Sequence, residues 1–450
     1  MSPGRSAPAP RAPRLRSGRW PRWWCAAAVF LCGAAVLART QRYYGSLLRG
    51  WDAQHYYACA HSIVFDRDLD LTNDLEATPF TAPFVRDGDG SFEALRRDAN
   101  GRVVSPYPIG LSLIEAPLLA LGHAVRDGLA AVGIVSGRPP GYADVEIWTV
   151  ALGLLAVFAV GAQWLDDIVR QHVPPPWRAA ALLSAWWGTS LLYYSAVFPF
   201  MAHAVGFTLG VGTVHVGQSL ADGRRSPRGL WLLGLALAAL YLVRPQQVTI
   251  AVPLLLVLWP LVRQPAPRWV GWAVAGIGTV GLAVALQAWI HSQLGSGWAI
   301  SGYTAQGGGF DWLRPALWTV LLSPTRGLLW CSPIVVVALI GFAMTRPRDL
   351  PPAFAALALQ GVIQIYVIAC WSVPTQGDAF GARMWSEAAG AVACGVGLLA
   401  RRRSPIVTPL VAAAIGACLL WTNRLLVLYV SGQLRPDISY AECLRLVLGA

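Results

Sequence analysis

Apolar runs of bilayer-spanning length recur along this chain, at 23 to 38, 144 to 164, 178 to 198, 200 to 220, 230 to 262, 269 to 291, 328 to 344, 352 to 371, 384 to 400 and 405 to 429. A hydrocarbon core of about 30 Å needs about 20 apolar residues in a helix, and inside it every backbone amide must be bonded within the segment itself. Such a chain folds as helices in a bilayer. With 55% hydrophobic and 13% charged residues, it is too apolar for a water-soluble fold. The sequence is therefore read as an all-α polytopic membrane protein, with the lipid bilayer as its first partner.

The formal net charge of +12 would suggest nucleic acid in a soluble chain. Here the arginines cluster between apolar runs, at Arg224-Arg225, Arg263 to Arg268, Arg346 to Arg348 and Arg401-Arg402-Arg403. That is the pattern of cytoplasmic loops, so no nucleic-acid partner is expected. All 35 basic residues are arginine, which excludes Schiff-base chemistry, pyridoxal phosphate and a Walker phosphate loop. The eight cysteines lack Cys-x-x-Cys spacing and lie mostly in apolar runs, so neither a zinc site nor a disulfide framework is expected.

Topology follows as a parity problem. The tail 1–22, with arginines at 5, 11, 14, 16, 19 and 22, belongs in the cytoplasm, and the run from 23 reads as an uncleaved span rather than a signal peptide. Five apolar candidates separate that tail from Arg224, and two cytoplasmic ends require an even number. The candidate 109 to 125 carries Glu115 and Pro117 and follows Pro106-Tyr107-Pro108, so it is assigned as a juxtamembrane or re-entrant helix. The stretch 230 to 262 would be roughly 50 Å long as one helix and must turn, with Arg244-Pro245 at the outer surface. The count is about 11 spans in one transmembrane domain, 23–450. Its first extracytoplasmic loop, 39–143, carries juxtamembrane helices, the N-terminus is cytoplasmic and the C-terminus extracytoplasmic. Asp52, His203, Arg244, the 292 to 326 region and the 372 to 383 loop then share the outer face.

The first outer loop holds Asp52, Asp66, Asp68, Asp70, Asp74, Glu76, Asp87, Asp89, Glu93 and Asp98, a large share of the 23 acids. Most are the solvated surface of a loop. Asp66-x-Asp68-x-Asp70 opens like a calcium loop but has Leu71 and Ala77 where Gly and Glu are needed. Asp52 differs by position, just beyond the first span and at the head of a surface helix from Ala53 to Val64. It can cap that helix or accept a proton from a hydroxyl.

When a sugar is transferred from a lipid phosphate, the phosphate departs as a stabilised anion, so one base and a cationic clamp suffice. Arg244, Arg326 and Arg383 are the candidate clamps, since guanidinium matches phosphate oxygens bidentately. Each could instead snorkel to lipid headgroups. Asp378 and Arg383 can neutralise each other, or Arg383 can face a phosphate while Asp378 orients it or meets a sugar hydroxyl. His203 reads as a hydrogen-bonding residue between helices, and Trp51 and Trp298 could stack on a sugar ring.

Trp51-Asp52-Ala53-Gln54-His55-Tyr56, Asp68-Leu69-Asp70-Leu71-Thr72-Asn73 and Ser105-Pro106-Tyr107-Pro108-Ile109-Gly110-Leu111 resemble the GT-C superfamily of bacterial glycosyltransferases, relatives of protein mannosyltransferases and aminoarabinose transferases. Ser323-Pro324-Thr325-Arg326-Gly327-Leu328 and Gly377-Asp378-Ala379-Phe380-Gly381-Ala382-Arg383 continue the resemblance over most of the chain. It implies transfer of a sugar, with inversion, from a polyprenyl-phosphate donor to a glycan, lipid or protein acceptor at the outer face of the bacterial cytoplasmic membrane. Asp52 matches the acidic position, and His55, Tyr56 and Tyr107 fall in matched motifs and are expected to bind substrate with Arg244, Arg326, Asp378 and Arg383. Ala53 stands where a second acid is common, and Tyr107-Pro108-Ile109-Gly110 where His-Pro-Pro-Gly is common. No cofactor is expected, and with the second acid absent nothing in the motif supports a divalent metal. A lipid-linked saccharide flippase or transporter, and an inactive scaffold of envelope glycan assembly, are the alternative functions.

Overall fold

The computed structural model describes residues 23–77, 97–134, 139–263, 267–305, 307–377, 379–401 and 407–449. Among them the fold is all-helical. The first half runs α1 (Trp24–Tyr44), α2 (Trp51–His61), α3 (Thr72–Ala77), α4 (Gly110–Ala131), α5 (Asp144–Val169), α6 (Pro175–Trp187), α7 (Ala202–Ala221) and α8 (Gly229–Val243). The second runs α9 (Ala251–Arg263), α10 (Pro267–Gln293), α11 (Gly302–Ala305), α12 (Leu317–Leu322), α13 (Leu328–Cys331), α14 (Ile334–Ala343), α15 (Pro352–Cys370), α16 (Gly390–Ala400), α17 (Val407–Val430) and α18 (Tyr440–Leu448). Among the described residues extended pairing is limited to two isolated bridges, Arg97 with Val103 and Phe310 with Trp371.

Among the described residues six helical stretches are long and apolar enough to cross a membrane: Trp24–Tyr44, Asp144–Val169, Pro245–Arg263, Trp269–Gln293, Pro352–Cys370 and Thr408–Val430. Gly229–Val243, Ile334–Ala343 and Gly390–Ala400 are apolar but shorter. The breaks have local causes. Pro245 follows Arg244, whose backbone is non-helical, and opens a 3₁₀ turn to Ile250 before α9, because proline fixes φ and removes a donor. Pro333 separates α13 from α14 in the same way. Helix α10 leaves Val270, Val274, Ile277 and Leu282 more than half exposed, an apolar surface that only lipid or a partner would cover.

Helix ends meet in two groups. Trp24 Nε1 donates to Asp166 at 3.2 Å and Arg178 Nε is 2.9 Å from the same carboxylate, joining the start of α1, the end of α5 and the start of α6. Arg401 Nε, just past α16, donates to the His172 carbonyl at 2.8 Å, just past α5. At the other end of α1, the Tyr43 and Tyr44 hydroxyls reach the carbonyl of Val430, the last residue of α17.

Helix α4 lies against α5, α2 and α8. Its Gly110 is so close to the Leu242 and Val243 backbone that a Cβ would sit 2.4 Å from the Leu242 carbonyl carbon. Toward its other end, His123 and Arg126 reach Glu146, 2.8 and 3.6 Å away in the first turn of α5. Glu146 also accepts from the Ala143 amide at 2.8 Å, satisfying a donor that the helix start leaves unpaired.

Close helix crossings use glycine where no side chain fits, as is common between membrane helices. A Cβ on Gly234 of α8 would stand 2.3 Å from the Gly276 Cα of α10, whereas one on Gly271 of α10 meets nothing within 4 Å. Gly234→Leu is therefore expected to cost about 1–3 kcal/mol by overpacking, with Gly271→Ala unchanged or slightly stabilising. Unfolding of both variants in detergent checks this, and equal midpoints would contradict the α8–α10 contact.

Candidate active site

Asp52 reaches its position through the turn that precedes α2. Gly50 takes φ +79°, and a Cβ there would lie 2.4 Å from the Phe198 ring, so glycine is required on both counts. Arg49 anchors this turn by donating to the Val197 carbonyl at 2.7 Å and covering the Tyr44 ring at 3.6 Å. Asp52 falls inside the first turn of α2, with Gly50 in the capping position. Of the two roles left open for Asp52, capping the helix is set aside: its carboxylate turns sideways to tertiary partners rather than to its own helix backbone.

Those partners come from distant parts of the chain. The Tyr107 hydroxyl donates to Asp52 Oδ1 at 2.6 Å, and Arg383 Nη1 donates to Oδ2 at 3.0 Å. Both members of the ion pair keep a fifth of their side-chain surface exposed. Burial alone would raise the Asp52 carboxyl, but Arg383 and the Tyr107 hydroxyl outweigh it and hold the group below its ordinary value. Asp52 is therefore an anion at neutral pH. In return its charge raises Arg383 against the effect of burial.

Arg383 is delivered by a segment with its own glycine-dependent turn. Gly381 adopts φ +59°, and a Cβ there would crowd Ser190 at 3.3 Å and Cys331 at 3.5 Å. Gln376, buried and itself at positive φ, accepts from the Met384 amide at 2.7 Å and ties the segment to the start of the following helical turn.

Aromatic rings wall the carboxylate. Tyr107 packs against Tyr56, His55 and Tyr303 with ring centroids 5.0, 5.1 and 5.6 Å apart, and Trp51 stands edge-on to His55 at 4.7 Å. His55 is buried, and neither ring nitrogen has a hydrogen-bond partner. Burial lowers it to about 4 despite the attraction of Asp52, so the ring is neutral at pH 7 and offers one donor and one acceptor.

A second polar group adjoins the first. Arg244 Nε is 2.8 Å from Glu387 Oε1, and His203 Nδ1 is 2.9 Å from the same oxygen. With its amide turned, Gln246 also accepts from Arg244 at 2.7 Å. Gly206 on α7 makes room, since a Cβ would lie 2.9 Å from Glu387 Cγ and 3.1 Å from Arg244 Cγ. Tyr56 and Tyr303 feel the charges of Arg244 and Arg383 together. The two groups therefore form one electrostatic unit.

Of the residues predicted from sequence, Asp52, His55, Tyr56, Tyr107, Arg244 and Arg383 are brought together. Arg326 lies in the turn before α13, near Cys331, and Cys331 in turn touches the Gly381 turn that carries Arg383. Asp378 lies outside the described residues. Glu387 and Tyr303 were not anticipated. Glu387 had a readable signal, an acid inside the apolar run 384 to 400, which is costly in a bilayer and calls for a partner. Tyr303 had none. No family model matches this chain, and no curated protein matches it.

Because the Asp52 pKa is depressed, its contribution to stability is present above the ordinary carboxylate range and is lost as pH falls through the lowered value. Thermal stability of the wild type is expected to drop below about pH 4. In Arg383→Gln the Asp52 carboxyl rises, so its protonation moves toward neutral pH. Melting curves across pH 3 to 7 check this, and superimposable profiles would contradict the pairing.

Proposed function

We propose that this chain is a GT-C-type membrane glycosyltransferase that moves a sugar from a polyprenyl-phosphate donor to an acceptor hydroxyl at the extracytoplasmic face. The observation that carries the reading is a carboxylate, ionised at neutral pH, held between a tyrosine hydroxyl and a guanidinium. Transfer needs both charges within one sugar's width, a base for the acceptor proton and a cation for the departing phosphate.

In this scheme the acceptor oxygen attacks the anomeric carbon, and the bond from that carbon to the phosphate oxygen breaks with its electron pair leaving on the phosphate. The acceptor proton passes to Asp52. Arg383 exchanges its bond to Asp52 for one to the donor phosphate, which frees the base as it binds the donor. Arg244, held by Glu387, supplies a second fixed positive charge. His55, with two unpartnered ring nitrogens, and the rings of Tyr56, Tyr107 and Tyr303 supply hydrogen bonds and apolar walls for the sugar.

The proposed topology has about 11 crossings, formed by α1, α5, α6 with the turn after it, α7, α8, α9, α10, α13 with α14, α15, α16 and α17. Helix α4 does not cross. The grouping of helix ends supports this, since the Trp24, Asp166 and Arg178 contact gathers ends assigned to the cytoplasm. The Tyr43, Tyr44 and Val430 contact gathers ends assigned outside. The proposed site is in the bacterial cytoplasmic membrane, with the N-terminus cytoplasmic and the C-terminus outside.

The test is transfer of labelled sugar from polyprenyl phosphate in proteoliposomes containing a membrane extract as acceptor. Asp52→Asn, which keeps the shape and loses the base, is expected to lower the rate by roughly 10²- to 10⁴-fold. Arg244→Gln is expected to weaken donor binding as well as slow the reaction. Full activity in Asp52→Asn would remove the base, and transfer undetectable with each common polyprenyl-phosphate sugar would count against the class.

A further inference from the structure

Three short elements of the first outer loop converge on one point away from the site described above. His61 closes α2, Asp66 closes the π turn Ser62–Asp66, and Asp74 lies in the first turn of α3. One ligand atom from each lies within 4.8 Å of the others. Asp68 and Asp70 take no part, being used to turn the loop: Asp68 Oδ1 accepts from Ser62 Oγ at 2.7 Å and Asp70 Oδ1 from the Thr72 amide at 3.1 Å.

The chemistry of these atoms calls for a positive charge among them. His61 Nε2 stands 3.1 Å from the Pro140 carbonyl oxygen. A carbonyl can only accept, so Nε2 carries the ring proton. Nδ1 stands 2.6 Å from Asp74 Oδ1, an ion pair when the ring carries a second proton; in the neutral ring Nδ1 turns a lone pair toward that carboxylate. The Asp74 side chain is fully buried, and its Oδ2 has no hydrogen-bond donor. Among the described residues no arginine contacts Asp74. A buried carboxylate beside this nitrogen needs a positive charge, supplied either by a proton on Nδ1 or by a metal ion that both groups bind.

We propose that His61 Nδ1, Asp66 and Asp74 hold a divalent transition-metal ion, zinc by preference, that clips the end of α2 to α3 and to the segment leading into α5. One imidazole, two carboxylates and a water make a four-coordinate set suited to Zn²⁺. The surroundings have the form such ligands need. The Pro140 carbonyl fixes the tautomer that leaves Nδ1 free to bind, and Asn73 Nδ2 donates to Asp66 Oδ2 at 3.0 Å and orients that carboxylate. Asp52 is nine residues before His61 on the same helix, about 14 Å along its axis, so the ion touches no reacting group. It fixes the helix that carries the base. The proposal stands on its own residues and does not depend on the transfer reading.

The experiment uses the full chain purified in detergent, stripped with chelator and titrated with Zn²⁺ alone, with metal content read by elemental mass spectrometry. About one zinc per chain is expected, together with a zinc-dependent rise in melting temperature. Co²⁺ in its place should give the intense visible band of a tetrahedral site. Asp66→Asn, at an exposed position that tolerates the change, should abolish both the stoichiometric binding and the melting shift. Asn73→Ala should weaken binding by roughly 10- to 100-fold. Zinc absent from the wild type, or bound equally by the wild type and Asp66→Asn, would overturn the proposal and leave a His61–Asp74 pair sharing a proton. No sugar transfer enters these readouts, so their failure is separable from failure of the enzyme assignment.

Discussion

An ion pair between Asp52 and Arg383 joins residues 331 positions apart, and the polar interior of the structure is arranged around it. A carboxylate on α2 has no reason to be ionised among the rings of Tyr56, Tyr107 and Tyr303 unless a cation compensates the loss of water. Arg383 supplies that cation. The pair in turn requires the Gly50 and Gly381 turns, which aim the two side chains at each other, and the Tyr107 hydroxyl, which completes the carboxylate's hydrogen bonds. Removing one partner would leave an uncompensated charge, which is more damaging than the absence of both.

The same logic explains the adjoining Arg244–Glu387–His203 group. Glu387 sits among apolar residues at the start of the run that becomes α16, and it is tolerated because Arg244 and His203 converge on one of its oxygens. Such a group is rigid, since each member's position is set by another. A cation held in this way changes little on binding a phosphate, whereas Arg383, one-fifth exposed, has room to exchange partners. The arrangement thus pairs one fixed and one exchangeable positive charge, as the proposed transfer reaction requires.

Much of this was legible in the sequence for definite reasons. The helical class followed from the apolar runs, and the break at Arg244-Pro245 from a length no single crossing could accommodate. Asp52 stood out because it heads a short helix just beyond a span, His55 and Tyr56 because they fall in the motif that carries the family resemblance, and Arg383 because it ends a polar segment between two apolar runs. What could not be read was pairing. Nothing local says that Tyr107 rather than another tyrosine meets Asp52, or that Tyr303 joins the wall. Helix lengths were misjudged where Pro333 and the turn at Tyr193–Val197 divide apolar runs into shorter pieces, since hydropathy registers apolar content and not continuity. The alternative role of Asp52 as a helix cap does not hold, because Gly50, at positive φ, takes the capping position two residues earlier.

A double-mutant cycle on the Asp52–Arg383 pair tests the central claim most directly. Unfolding free energies of the wild type, Asp52→Asn, Arg383→Gln and the double variant, measured in one mild detergent at neutral pH, give the coupling between the two side chains. The account predicts a double variant less destabilised than the sum of the singles, with a coupling on the order of 0.5–3 kcal/mol. Additive effects within about 0.3 kcal/mol would show that the two charges do not meet, and would contradict the site.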